Sequence, residues 1–369
     1  MRLRNVIISL LILLLTAASC AVHEWPVAAP ADVVLNLDFD RELPQYKVLD
    51  ENGTRASRDS RDYCLRYTVE AYRSLPDANF SGEPCARYTF TKDDIDDLNA
   101  SFRFSIDEGR YLLRVWTDFV ARGTSSDFFY DTRNFRRIEL FDEHEGNSDF
   151  RDAFSGSAEF TAVRRGSAAE PSEVTVAMGR PLAKFEFITT DLQEFITKTI
   201  EAMLRKEAES GGGTKSGSDA AQDTGHSSTD AGGDTKGDGD TKAPVVDLNR
   251  YKVVFLYSGY MPSAYNMMDD KPCDSRTGVS FSSTITALDS HNARLGFDYV
   301  FVNGKESSVM VTVALYGDDG AQLSVSRQIE VPLKRSMLTT VRGSFLMQNT
   351  GGGVAIDPGF DDEYNIYIP

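Results

Sequence analysis

Over residues 32–40, Val33, Leu35, Leu37 and Phe39 fall on one face of the chain, and Asn36, Asp38 and Asp40 fall on the other. A period of two marks a strand with one buried and one solvated face. The alternation recurs at 65–71, 87–91, 102–106, 111–119, 158–163 and 173–178, between loops rich in Asp, Gly, Ser and Arg. A second series follows Arg180-Pro181, at 182–189, 251–257, 279–287, 295–302, 308–316, 322–331, 338–347 and 364–368. Gly317-Asp318-Asp319-Gly320 supplies a tight turn between two of these strands. Short strands without intervening helical periodicity predict sandwiches rather than a parallel α/β sheet. The expected fold is all-β, with two tandem domains at 32–178 and 179–369.

One helix interrupts the second series. Leu192, Phe195, Ile196, Ile200, Met203 and Leu204 recur at helical spacing. Asp191 is placed to cap this helix, with Glu194 three residues on as in a capping box. From 209 to 243 no aromatic and no aliphatic larger than Ala occurs. Such a segment buries too little apolar surface to offset its ordering entropy, and reads as a disordered loop insertion in the second domain.

The N-terminus carries a different pattern. Arg2 and Arg4 precede a largely apolar run over 6–15, and Thr16-Ala17-Ala18-Ser19 leads into Cys20. A positive start, a short apolar run and a small-residue exit mark a secretory signal. The cysteine at the exit predicts a lipoprotein: a signal peptide at 1–19, a lipid on Cys20 and a Pro- and Ala-containing tether at 20–31. The expected location is the outer membrane, with the face left open.

The net charge of −17 opposes nucleic acid and anionic membrane surfaces as partners. Beyond Cys20 the cysteines are Cys64, Cys85 and Cys273, and whether Cys64 pairs with Cys85 stays open. The histidines, His23, His144, His226 and His291, show no zinc or haem spacing. No nucleophile elbow or phosphate loop appears. Asp93-Asp94, Asp96-Asp97, Asp269-Asp270 and Asp361-Asp362 read as solvated loop residues, and Asp234, Asp238 and Asp240 lack a complete calcium-loop spacing. The chain is therefore expected to be non-catalytic, with no cofactor and no metal. Aromatics gather at Tyr111, Trp116, Phe128, Phe129 and Tyr130, and again at Tyr257, Tyr260 and Tyr265. Most should fill the cores. Trp116, Tyr130 and Tyr260 are the candidates to face a ligand.

Several stretches resemble a known family. Arg180-Pro181-Leu182-Ala183-Lys184 passes from one extended segment to the next. It is similar to the domain junction of the Bacteroidetes fimbrial subunit superfamily, which includes anchor and tip subunits. Arg114-Val115-Trp116-Thr117-Asp118, Phe129-Tyr130-Asp131-Thr132, Arg151-Asp152-Ala153-Phe154-Ser155-Gly156 and the run from Leu295 to Asn303 look like related Bacteroides lipoproteins of unassigned function. The resemblance implies two transthyretin-like β-sandwiches, an acylated Cys20 and no catalysis. It also implies partnership with fimbrial subunits, in which one subunit's strand fills a groove in its neighbour. Stalk subunits of that superfamily are cut after an Arg beyond the first strand, and Arg55, Arg58 and Arg61 lie in such a loop; an anchor needs no cut. The edges expected to meet a partner are 33–39 and 364–368. With Pro369 closing the last strand, the chain is expected to receive a strand rather than give one. The alternative is a surface lipoprotein that binds a glycan or host ligand through exposed aromatics.

Overall fold

The computed structural model describes residues 30–39, 62–164, 170–211, 245–348, 355–356 and 364–368. The signal, Cys20 and the tether up to residue 29, the 55–61 arginine loop and nearly all of the 209–243 insertion lie outside the described residues. The fold is all-β with one long helix, as the periodicity predicts.

The first half supplies β1 (Ala31–Phe39), β2 (Tyr63–Arg73), β3 (Ala86–Lys92), β4 (Ala100–Ile106), β5 (Gly109–Ala121), β6 (Tyr130–Asp131), β7 (Ile138–Leu140), β8 (Phe154–Ala162) and β9 (Ser172–Gly179). Seven of them form one path in the order β3-β2-β5-β8-β9-β1-β4. β8 and β9 pair at only two positions, Ser155 with Gly179 and Gly156 with Met178, and the path folds there into two facing layers. Gly156 allows the fold, since a Cβ there would lie 2.4 Å from the Ala177 carbonyl oxygen. At the far end β3 and β4 meet through side chains. Phe90 stacks on Phe102 and Tyr88 packs on Phe104, each pair with centroids 4.4 Å apart.

The second half begins with β10 (Leu182–Thr189) and helix α1 (Leu192–Gly211). Then follow β11 (Lys252–Tyr257), β12 (Met261–Asn266), β13 (Lys271–Arg276), β14 (Ser280–Ser283), β15 (Thr286–Ala287), β16 (Ala293–Phe301), β17 (Glu306–Tyr316), β18 (Gln322–Val325), β19 (Ile329–Lys334), β20 (Leu338–Gly343), β21 (Ala355–Ile356) and β22 (Tyr364–Ile368). One sheet runs β15-β16-β10-β20-β22-β21, and the other β14-β11-β17-β18 with β19 also on β17. Phe185 and Phe187 of β10 pack on Tyr257 and Phe255 of β11 and hold the two sheets together. Segments 279–287 and 322–331, which read as single strands, each divide in two, and the pieces of the first join different sheets.

Two expectations need correction. β1 is not an edge: it pairs β4 antiparallel and β9 parallel. Nor is β22, which pairs β20 on one side and two-residue β21 on the other. The Asp191 carboxylate accepts from the Leu346 and Met347 amides, at 3.1 and 2.9 Å, and from the Thr189 hydroxyl. It thus ties the start of α1 to the bend that follows β20. Glu194 pairs with Lys198 instead of closing a capping box. The apolar face of α1 does pack inward, with Leu192 and Phe195 buried and Phe195 against Tyr251.

The fourth sheet, β13-β12-β7-β6, takes two strands from each half. β7 pairs with β12 at Glu139–Ala264 and Ile138–Tyr265. One continuous apolar core consequently runs through both halves.

Candidate functional site

The motif residues converge at the junction of the halves. Asp298, on β16 between Phe297 and Tyr299, is fully buried. Its Oδ1 accepts from the Arg151 guanidinium and from the Tyr299 amide at 2.8 Å; its Oδ2 lies 2.6 Å from both His144 Nε2 and the Tyr257 hydroxyl. Burial alone would raise this carboxyl. The charges of Arg151 and His144, with hydrogen bonds from His144 and Tyr257, outweigh it and hold the group below its usual value. Burial, followed by the neighbouring Asp298 charge, pushes the Tyr257 hydroxyl well up.

Two further pairs extend this network along the same seam. Arg180 Nε bridges both oxygens of Asp152 at 2.8 Å, and its guanidinium lies 4.8 Å from the Phe154 ring. Lys184 Nζ donates to Asp149 at 2.7 Å and sits 4.0 Å from the Phe297 ring centroid. Burial lowers the Lys184 ammonium, and Asp149 only partly offsets it; burial likewise raises Asp152 against the pull of Arg180. Each ion pair joins residues 149–152 to β16 or to the Arg180–Lys184 segment. The motifs therefore encode a buried electrostatic joint.

Beside it, Trp116 lies within 6.5 Å of Tyr130, Tyr265 and Phe301, rings drawn from both halves. Trp116 and Tyr130 are 0 % exposed, so neither faces a ligand: an aromatic ring in a strand at a junction gains more from burial than from solvent. Tyr260 is 74 % exposed, which leaves it alone among the three candidates on the surface. On β2, Arg66 makes a buried fork to Asp118 at 2.9 and 2.6 Å and reaches Asp127 at 2.7 Å. Cys64, Cys85 and Cys273 are free thiols. No cluster able to hold a metal ion occurs among the described residues.

Asp298 and its partners resemble the orienting half of a catalytic triad, but the surroundings point to structure. Both carboxylate oxygens are already engaged, each by two donors. Sequence reasoning passed over this residue, although a carboxylate flanked by Phe297 and Tyr299 in an otherwise apolar strand was a legible signal of a paired buried charge.

Two other features are open to partners. The first is the β3/β4 side of the first sandwich. No strand pairs the outer side of either among the described residues. The Tyr88 hydroxyl donates to the Ser105 carbonyl at 2.8 Å, so that carbonyl points away from β1; alternation then turns the Arg103 and Ser101 backbone outward as well. The second is a cavity of about 510 Å³ lined by residues 127–129, 140–145 and Arg151.

The chain belongs to a family of unknown function, DUF6562, whose pattern matches residues 30–369. No curated protein matches it. Among solved structures it is similar to the fimbrial anchor protein Mfa2 from Porphyromonas gingivalis, with 8 % identity, TM-score 0.33 and coverage of 80 % of this chain and 81 % of that one. The tip fimbrial protein Mfa3 from the same organism, with a C-terminal truncation, has 10 % identity, TM-score 0.34 and coverage of 82 % and 81 %. A fimbrial assembly protein from Parabacteroides distasonis has 10 % identity, TM-score 0.35 and coverage of 85 % and 91 %.

Proposed function

We propose that this chain is a lipid-anchored, non-catalytic accessory or anchor subunit of a fimbrial-like assembly that accepts a strand from a partner subunit. The observation that carries the reading is the open β3/β4 side. Sheet edges are normally blunted by charge, proline or a covering element. β13, an edge of the shared sheet, is blunted in this way by Lys271, Pro272 and Asp274. β4, Ala-Ser-Phe-Arg-Phe-Ser-Ile in sequence, carries one charge over seven residues. Its own Phe102 and the Tyr88 and Phe90 rings of β3 beside it are half-buried. An incoming strand would gain main-chain hydrogen bonds along β4, and alternate side chains would cover those rings. The motif resemblance supplies the fimbrial context, and Cys20 the membrane attachment.

Strand addition is tested by amide hydrogen exchange on the purified chain, with and without a donor-strand peptide from a stalk-type subunit encoded beside it. Protection should appear at Ser101 and Arg103. Arg103→Pro removes an outward N–H, which an edge strand tolerates, and should weaken the peptide at least about tenfold. Unchanged exchange in β4, or equal binding by the variant, refutes this acceptor edge.

Membrane attachment is tested separately. Cys20→Ala should move the protein from the membrane fraction to the soluble fraction, since no helix among the described residues is long and apolar enough to cross a bilayer. Retention of the variant in membranes, with no lipid-modified peptide in the wild type, refutes acylation at this residue.

A further inference from the structure

Lys184 stands apart from the other buried cations. Among the described residues those are Arg66, Arg151 and Arg180, and Lys184 is the one buried lysine. Arginine suits a lasting buried ion pair better, since its guanidinium stays charged and forks onto a carboxylate. A lysine in such a place offers different chemistry, because its amine becomes a nucleophile once a proton leaves. Burial lowers the Lys184 ammonium beyond what the Asp149 charge and hydrogen bond restore, which eases that loss.

The reacting groups are already in contact. Lys184 Nζ lies 2.7 Å from Asp149 Oδ1, so one C–O bond separates it from the carboxyl carbon. The Lys184 side chain is 4 % exposed, and the Phe297 and Tyr299 ring centroids stand 4.0 and 5.2 Å from Nζ. Tyr299 is the direct cross-strand partner of Lys184 in the β10–β16 ladder. Its hydroxyl donates to the same Asp149 Oδ1 at 3.2 Å. The Asp149 side chain is 34 % exposed, which gives a small leaving group a way out. Groups held in good register within one molecule reach effective concentrations of about 10⁵–10⁸ M.

We propose that Lys184 and Asp149 condense into an intramolecular amide that joins the two halves of the chain covalently. The Nζ–Cγ bond forms and the Cγ–Oδ1 bond breaks. Two protons of the ammonium end on Oδ1. The first crosses the existing hydrogen bond, the second follows as the amide forms, and the oxygen leaves as water. The Tyr299 hydroxyl, already donating to Oδ1, stabilises that departure. Nothing is oxidised or reduced, and no co-reactant is needed. The link closes residues 149–184 into a loop across the handover from the first half to the second.

The test is mass spectrometry of the purified full chain after complete unfolding and digestion with trypsin, which does not cut after an acylated lysine. The expected product is residues 138–151 joined to residues 166–198, uncut at Lys184 and one water lighter than the two peptides together. Lys184→Arg keeps a cation but removes the nucleophile, and should release 138–151 at its own mass. Asp149→Ala removes the carboxyl carbon that is attacked, and should restore cleavage at Lys184. Recovery of 138–151 only as a free peptide from the wild-type chain, with Lys184 cut, means an ordinary ion pair and overturns the proposal. A linked product that survives either substitution overturns it as well. The wild-type digest decides even where a variant fails to fold, and none of these outcomes depends on whether β4 accepts a strand.

Discussion

Asp298→Ala is expected to lower the unfolding free energy by about 3–5 kcal/mol, because it leaves Arg151 buried without its counter-charge. Arg151 and Asp298 are both almost wholly inaccessible to solvent, so water cannot take the place of the lost carboxylate. The same change strips His144 and Tyr257 of a shared acceptor. Denaturant titration followed by tryptophan fluorescence would measure the loss; a change below about 1 kcal/mol would mean that the network is not closed as described. A pH dependence accompanies it. The folded Asp298 carboxyl lies below its usual 3.8, so its contribution is complete above that value and disappears as pH falls through the folded one. Asp118 and Asp152 are raised by burial, against the pull of Arg66 and Arg180, and act in the opposite direction. The stability of the Asp298→Ala variant should therefore fall less steeply below about pH 4 than that of the wild type.

Trp116→Ala should cost a similar amount, about 3–5 kcal/mol, through a large cavity at the junction of the halves. Tyr130, Tyr265 and Phe301 surround the ring and are held by strands of two different sheets, neither of them the sheet of Trp116 itself, so they cannot collapse inward together. Tyr260→Ala is the matched control, because an exposed side chain away from partners should change stability by no more than about 0.5 kcal/mol. Equal effects of the two changes would contradict the burial that distinguishes them. This pair also decides how the aromatic clusters are read: Trp116 acts as packing, and its loss registers in denaturation before any effect on a ligand.

Much of the fold was legible in the alternation of apolar and polar positions. The pattern at 33–39 located β1, and the spacing of Leu192, Phe195 and Ile196 located α1, because period two and period 3.6 reflect which face meets a core. Neighbours were not legible. β1 reads as a free edge from its place in the chain, yet it lies between β4 and β9, since strand order depends on contacts made far along the sequence. The shared sheet was missed altogether. β6 and β7 span two and three residues, and β13 is mostly polar, too short or too solvated to show a period.

The site divides along the same line. The identities of Arg151, Asp152, Arg180, Lys184 and Asp298 were visible as motif residues, but the need of the charge within β16 for a buried partner was passed over. Which charge meets which was decided only in three dimensions. Arg151 and Asp298 are separated by 147 positions, and no local rule couples side chains across that distance. The sequence by itself determined that this is an all-β chain with alternating faces, one amphipathic helix and charged residues embedded in apolar strands. The tertiary structure decided which strands lie at the edge, that Trp116 and Tyr130 belong to the core, and that the two halves share a sheet and an ion-pair network. The physical reason is that periodicity records only whether a residue is buried, whereas pairing is chosen by burial free energy and hydrogen bonding summed over the whole packed chain.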